Sequence, residues 1–366
     1  MVIRIKKRKR GLSEKIFLVL IVLVLVLGSL NIAKAKGWLI PQQKFEVKDG
    51  VVDLSSMSLE QKIAQMVIVH GGLHNLHAWK NMQVGGIHLF ALQNGELYKE
   101  IIDKFQEEME IPFFVTVDLE GCWNPFANFK QFVAVSEINS TGEAFEKGSD
   151  EGKFLSGLGF NVNYAPVVDL NDEIWKCRSF PGDEKRIGEL AEAYILGLQS
   201  EGVIATAKHY PGKTLVVKDP HKFLVVATIA EEDLYPYNYL VEKGEVGMVM
   251  VSHIIVSGAV DSEGYPSVVS KEVIKGVKEG FKGLIVSDEV NMLGLKDYYL
   301  AIENMYVDLV VAGNDLIINF NEDPNEIWEM ILRIKEAVER GEISEEQINN
   351  SVRKILIAKG LTVIES

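Results

Sequence analysis

The body of this chain has no stripe of lysine and arginine. Its 38 basic residues face 52 acidic ones, a net charge of -14 at pH 7. Nucleic-acid binding leaves a basic footprint, so that class of partner is set aside. No Gly-x-Gly-x-x-Gly follows the first strand-like segment, so a doubly wound dinucleotide-binding sheet lacks its fingerprint. Cysteine is scarce, with only Cys122 and Cys177. His70, His74 and His77 have a spacing a metal could use. However, no carboxylate or cysteine adjoins them, and Gly71-Gly72 reads as a flexible loop. No metal and no cofactor is expected.

What is present is an ordinary globular composition. The 366 residues are 47% hydrophobic and 25% charged, enough for one large domain or two small ones. The N-terminus stands apart. Arg4, Lys6, Lys7, Arg8, Lys9 and Arg10 precede an unbroken apolar run from Ile16 to Leu27, which continues more weakly to Ala33. A basic flank followed by such a run reads as a signal peptide or a signal anchor. Ala33-Lys34-Ala35 resembles a small-x-small cleavage site, which favours removal. Ile16 to Ala33 is 18 residues, near the lower limit for a spanning helix. Either case puts residues 1–36 in or through a membrane and the rest outside the cytoplasm, because the basic residues stay inside.

Residues 37–57 read as a linker, and a barrel-like body follows over 58–366. Ser58 with Gln61 forms a capping box that opens a helix. Strand-like segments follow at Met66–Val69, Gly86–Phe90, Phe113–Asp118, Asn161–Asp169, Val203–His209, Gly247–His253, Leu284–Asp288 and Leu309–Ile318. They are short, rich in Val, Ile or Phe, and barely alternate, as strands covered on both faces do. Helical stretches lie between most of them. The clearest runs from about Asp183 to Glu201, and two more close the chain near 323–340 and 344–359. Eight such strands over about 250 residues predict a single (β/α)8 barrel, with a doubly wound sheet as the alternative. Asp118, Asp169, Lys208, His209, His253 and Asp288 all fall at strand ends, and in such a barrel that end carries the active site.

The densest chemistry is Lys208-His209-Tyr210-Pro211-Gly212-Lys213-Thr214-Leu215, followed by Asp219-Pro220-His221. Two histidines, a lysine and an aspartate this close suit proton transfer and the binding of sugar hydroxyls. A polar surface loop is the plainer reading. Asp288 ends an apolar run and can reach a pocket centre, or it can cap the next helix. Asp118 ends another such run, and carboxylates accept hydrogen bonds from hydroxyl groups. Arg178 sits in a Gly/Pro-containing loop, where it clamps a ligand or pairs with a surface acid.

These segments together resemble glycoside hydrolase family 3 enzymes of the β-N-acetylglucosaminidase type. The resemblance runs from Ser58-Leu59-Glu60-Gln61-Lys62-Ile63-Ala64-Gln65-Met66 almost to the C-terminus. It includes Gly85–Phe90, Val117-Asp118-Leu119-Glu120-Gly121, Asn163–Asp169 and Arg178-Ser179-Phe180. Its specific parts are Lys208–Gly212 with Asp219 and His221, and Val286-Ser287-Asp288-Glu289. The Asp-x-His unit belongs to the N-acetylglucosaminidase branch. The chain resembles the single-domain form of the family.

The resemblance implies a retaining exo-glycosidase acting on terminal β-linked N-acetylhexosamine through a covalent glycosyl-enzyme. Asp288 corresponds to the nucleophile, His221 to the general acid/base, and Asp219 to the group that orients it. Asp118, Arg178, Lys208 and His209 correspond to sugar-binding positions. A β-glycosidase of other specificity, a phosphorylase, or a catalytically inactive sugar-binding barrel are the alternatives. Three departures stand out. Lys213, Thr214 and Leu215 replace the family's His-Gly-Asp after Pro-Gly. Cys122-Trp123 replaces its Gly-Arg. Pro220 replaces the usual Ser or Thr. On a barrel of this kind Cys122 and Cys177 fall on adjacent loops of one rim. They are expected either to form a disulfide that braces Arg178 or to stay as two buried thiols.

Overall fold

The computed structural model describes residues 12–365 apart from 36, 38, 39, 43, 44, 46, 216, 217, 300 and 301. The basic run Arg4–Arg10 therefore lies outside the described residues.

In chain order, α1 spans Leu12–Ala35, β1 Val47–Lys48, β2 Val51–Asp53, α2 Leu59–Gln65, β3 Val67–His70 and α3 Leu76–Met82. Then come β4 Gly86–His88, α4 Gly95–Gln106, β5 Phe114–Val117, α5 Thr141–Leu158, β6 Val162–Asn163, α6 Glu184–Gln199 and β7 Ile204–Tyr210. The second half holds β8 Val226–Ile229, α7 Glu231–Lys243, β9 Met248–Val251, β10 Ile255–Gly258, α8 Lys271–Lys278 and β11 Leu284–Ser287. It closes with α9 Leu293–Lys296, α10 Ile302–Ala312, β12 Ile317–Ile318, α11 Pro324–Glu339, α12 Glu345–Ala358 and β13 Thr362–Ile364.

Eight strands pair in parallel in the order β11-β9-β7-β6-β5-β4-β3-β12. The ring closes where Val286 bridges Leu316, with Ser287 N–H donating to the Leu316 carbonyl at 2.9 Å. This is a nearly closed parallel barrel, and the doubly wound alternative falls away. The barrel strands are buried along nearly their whole length, β5, β9 and β11 completely, which explains their unbroken apolar runs. The expected capping box is present: Ser58 N–H donates to Gln61 Oε1 at 2.6 Å, and Gln61 N–H to Ser58 Oγ at 3.3 Å. The predicted helix near Asp183–Glu201 is α6, with Asp183 as its N-cap.

Three segments differ from expectation. Within Leu309–Ile318, Leu309–Ala312 end α10 and only Ile317–Ile318 are strand. Gly313, at φ +117°, breaks the apolar run in a conformation that favours glycine. Within Asn161–Asp169 only Val162–Asn163 form β6, and the Ala165–Pro166 peptide is cis. The expected linker carries β1 and β2, which pair with each other and, through β2, with β13 near the C-terminus.

Along α1 the side chains from Ile16 to Leu27 are exposed. Among the described residues, no helix is long and apolar enough to cross a membrane.

Candidate active site

The C-terminal ends of the barrel strands open into a cavity of about 900 Å³. Asp118, Arg178, Lys208, His209, Asp219, His221 and Asp288 all line it. Strand geometry is the reason. Asp118 follows β5, Lys208 and His209 end β7, and Asp288 follows β11, so each leaves its strand at the same rim. The Lys208–His209 peptide is cis.

One wall is an ion cluster. Lys208 Nζ reaches Asp118 Oδ1 at 2.6 Å and Glu120 Oε1 at 3.2 Å. Arg178 meets Glu120 in a two-pronged pair, Nε to Oε2 at 3.0 Å and Nη2 to Oε1 at 2.8 Å. Burial pushes the Asp118 carboxyl up, but Lys208, His88 and Arg178 outweigh it and hold it below the ordinary value. Burial disfavours the Lys208 ammonium, yet Asp118 and Glu120 raise it overall. Both groups are therefore charged at neutral pH. His88 is pushed down to about 4, chiefly by burial, and shares a 2.9 Å hydrogen bond with Thr116 Oγ1. It presents a neutral ring beside Asp118, at 3.6 Å. Such a wall can grip several hydroxyl groups at once, with acceptors and fixed donors side by side.

Asp288 lines the same cavity. Burial raises its carboxyl, but the charges of His253, His209 and His221 and the Glu289 N–H bring it below the ordinary value. The Glu289 N–H donates to its Oδ1 at 2.8 Å. Asp288 is thus an ionised carboxylate facing the cavity.

Asp219 and His221 form a pair at the rim. Asp219 Oδ1 lies 2.7 Å from His221 Nδ1, and the His221 backbone N–H donates to the same oxygen at 3.1 Å. Burial raises the Asp219 carboxyl, while these His221 bonds lower it below its ordinary value overall. With Asp219 ionised, Nδ1 carries the donated proton and Nε2 is left free to exchange one.

His209 is held from behind. Asp169 is wholly buried and lies 3.0 Å from His209 Nδ1, and it accepts hydrogen bonds from Tyr237 (3.0 Å) and Thr214. Thr214, one of the departures from the family pattern, therefore packs the loop onto the site. Lys213 turns to Asp233 at 3.3 Å.

Cys122 and Cys177 are joined, with Cα atoms 5.5 Å apart. The two loops meet closely. A Cβ on Gly121, at φ +50°, would lie 2.4 Å from the Cys177 carbonyl oxygen. His70 and His74 turn to Glu322, at 2.5 and 3.7 Å, while His77 contacts Asn81. Among the described residues no group of three or more His, Cys, Asp or Glu side chains is arranged to hold a metal ion.

Sequence reasoning missed Glu120, the partner of both cations, Asp172, which organises the Cys177 loop, and Trp123 and Trp175 on the cavity wall. Glu120 stands in a quoted motif, and its place two residues after Asp118 was the available signal. Trp123 stands in one of the three departures from the family pattern, whereas Asp172 and Trp175 lie in an irregular loop and carried no signal.

A parallel barrel with a carboxylate, a His–Asp pair and an ion-paired wall at its C-terminal rim is an architecture able to handle a hydroxyl-rich ligand. Residues 58–358 match the glycosyl hydrolase family 3 N-terminal domain, and the chain belongs to that family. It is 29% identical to a Beta-hexosaminidase of Haemophilus influenzae, over 74% of this chain and 79% of the relative. It is 26% identical to Beta-hexosaminidase A of Pseudoalteromonas piscicida, over 74% of this chain, and spans about half (52%) of that longer protein. A solved glycoside hydrolase family 3 β-N-acetylglucosaminidase from Paenibacillus superposes with a TM-score of 0.74 at 26% identity, covering 83% of this chain and 62% of that one.

Proposed function

We propose that the protein is a retaining exo-β-N-acetylglucosaminidase. The observation that carries the reading is the Asp219–His221 pair at the mouth of the cavity that Asp288 lines. Asp288, kept ionised, attacks the anomeric carbon and forms a covalent glycosyl-enzyme. His221 gives its Nε2 proton to the departing oxygen and then takes one from the water that releases the sugar. Retaining sites usually employ a second carboxyl group for that proton. Imidazole side chains change charge near neutrality, so a histidine oriented by Asp219 suits both half-reactions. Asp118, Arg178, Lys208 and His209 bind the hydroxyls of the terminal sugar. Asp118 and Arg178 take those far from the scissile bond.

The barrel works outside the cytoplasm in this reading, sent there by the basic N-terminus and the apolar run that follows it. The exposed apolar side chains of α1 and the Cys122–Cys177 bridge support that location, since disulfides persist in oxidising compartments.

The test is turnover of aryl β-N-acetylglucosaminide and aryl β-glucoside, each with and without phosphate. Faster release from the N-acetyl substrate, independent of phosphate and with the β-anomer of the sugar as first product, is expected. Preference for the glucoside, dependence on phosphate, or no turnover would each point to a different member of the fold.

A further inference from the structure

Gly37 and Ile40 fix the place where α1 leaves the barrel. Both are buried. A Cβ on Gly37, at φ +65°, would lie 2.9 Å from the Pro324 Cβ and 3.0 Å from the Ala78 Cβ, so the chain is clamped between α11 and α3 just after α1 ends at Ala35. Ile40 N–H donates to the Gly37 carbonyl at 3.1 Å and closes the turn. Ala78 and Pro324 stand in the first turns of helices that start from the catalytic rim, so α1 departs at that end of the barrel.

The loop between β5 and α5 lies on the same flank. α3 is tied to α4 by Lys80, whose Nζ donates to the Lys104 carbonyl at 3.1 Å. The loop then crosses α4 and α5, with the Phe126 ring 5.0 Å from that of Tyr98 and 4.9 Å from that of Phe154. Its composition is unlike that of the chain around it. Residues 121–136 contain no acid and one cation, Lys130, in a chain with 52 acids among 366 residues. Trp123, Phe129 and Val133 are 57%, 38% and 55% exposed. Between them Ala127, Asn128 and Gln131 are exposed and uncharged.

This exposure is not looseness. Phe129 and Lys130 N–H both donate to the Phe126 carbonyl, at 2.9 and 2.8 Å. Asn124 Nδ2 donates to the Lys130 carbonyl at 2.8 Å, and the buried Lys147 Nζ to that of Val133 at 2.6 Å. An ordered loop that holds large apolar groups in water marks an interaction surface.

The occupant is indicated by α1. Its side chains from Ile16 to Leu27 are exposed and apolar, and the basic run Arg4–Arg10 precedes them. That is the pattern of a segment that lies in or on a bilayer. The clamp at Gly37 then keeps this flank of the barrel close to the lipid. Aromatic and aliphatic groups with a lysine beside them suit that boundary, because the apolar groups enter the headgroup region while the ammonium meets anionic lipid. Across the ring the surface is different. Tyr265, 50% exposed, follows β10 and stands beside the exposed Asp261 and Glu263, and β9 lies opposite β4 in the strand order.

We propose that the β5–α5 loop, through Trp123, Phe129, Lys130 and Val133, docks on the surface of the lipid bilayer that holds α1, so that the barrel lies against the membrane instead of swinging free. The proposal rests on the membrane location read from the N-terminal segment.

The test uses the full chain on vesicles of phosphatidylethanolamine and phosphatidylglycerol. Cys122 and Cys177 are joined, so Phe129→Cys, Val133→Cys or Tyr265→Cys each supplies one free thiol for a polarity-sensitive fluorophore. On vesicles the labels at 129 and 133 are expected to shift to shorter wavelength and to lose most of their emission to a lipid carrying a nitroxide, while the label at 265 stays as in water. Phe129→Asp added to the Val133→Cys chain should return that label to water while α1 keeps the chain on the vesicles. Labels that all stay in water on a vesicle-bound chain, or that all shift alike, overturn the docking surface and leave the membrane location standing. A chain that does not float with the vesicles overturns the location, and the surface with it. A shift at 129 and 133 that is already present in detergent and grows with protein concentration overturns the bilayer as occupant and gives the loop to a second copy of this chain.

Discussion

Arg178 and Glu120 are paired inside the rim of the barrel, Nη2 to Oε1 at 2.8 Å, with side chains only 6% and 5% exposed. Lys208 shares the same carboxylate. Glu120 therefore neutralises two cations that have little water to turn to. Replacing Glu120 with Ala leaves the buried Arg178 without its carboxylate and Lys208 with Asp118 alone. Breaking a buried pair in this way costs about 3–5 kcal/mol. The expected outcome is a loss of that size in denaturant unfolding, with a raised KM for any sugar that the wall holds. A Glu120→Ala chain as stable as the parent would show that the wall is held by something else.

Asp288→Ala is expected to remove turnover by at least about a thousandfold, as loss of a nucleophile does elsewhere. The folded chain should persist, because the residue lines a cavity rather than the core. The pH dependence has a definite sign. Its carboxyl is lowered in the folded state, so its contribution to stability is present above the unfolded value of about 3.9 and is lost as pH falls through the lower folded value. The Asp288→Ala chain should thus lose less stability between pH 7 and pH 3 than the parent. Unfolding curves at both pH values measure this, and an equal loss in the two chains would contradict it.

His221→Ala should slow substrates with poor leaving groups by roughly 10²–10⁴-fold, the usual contribution of a general acid. Nitrophenolate departs with little help, so an activated aryl glycoside should suffer far less in its first step. A panel of leaving groups of graded acidity reads the effect as a steepened dependence. Equal losses across the panel would remove His221 from the acid role.

How much of this was legible in the sequence follows from which forces leave a local trace. Barrel strands bury both faces, so Leu284–Ser287 or Phe114–Val117 stand out as apolar runs, and the polar residue ending each run is the one at the rim. All seven candidate site residues reached one cavity, four of them (Asp118, Lys208, His209 and Asp288) because strand ends converge there and the other three on the loops above that rim. The run Leu309–Ile318 misled, since a buried helix end and a buried strand look alike without alternation. The pairing of β2 with β13 leaves no local trace, because partners from 51–53 and 362–364 meet only in the folded chain. The same holds for Asp169, whose hold on His209, Thr214 and Tyr237 spans up to 68 positions.

The loop bearing Asp219 and His221 is docked against α9, just beyond Asp288, and the contact is made possible by Gly294. A Cβ there would lie 2.6 Å from the Phe223 carbonyl oxygen and 2.9 Å from that of Pro220. Both atoms are backbone of the loop, so it cannot yield by turning a side chain. Gly294→Ala should push the loop outward while leaving Asp288, Asp219 and His221 chemically intact. Misplacement of a catalytic group by about 1 Å can cost on the order of 10²-fold in rate. The expected result is a ten- to hundredfold fall in kcat/KM for poor leaving groups, a smaller fall for activated ones, and a Tm within a few degrees of the parent. The variant should therefore reproduce, in weaker form, the leaving-group dependence of His221→Ala. A Gly294→Ala chain that loses activity evenly across the panel would show that the glycine serves the fold and not the placement of His221.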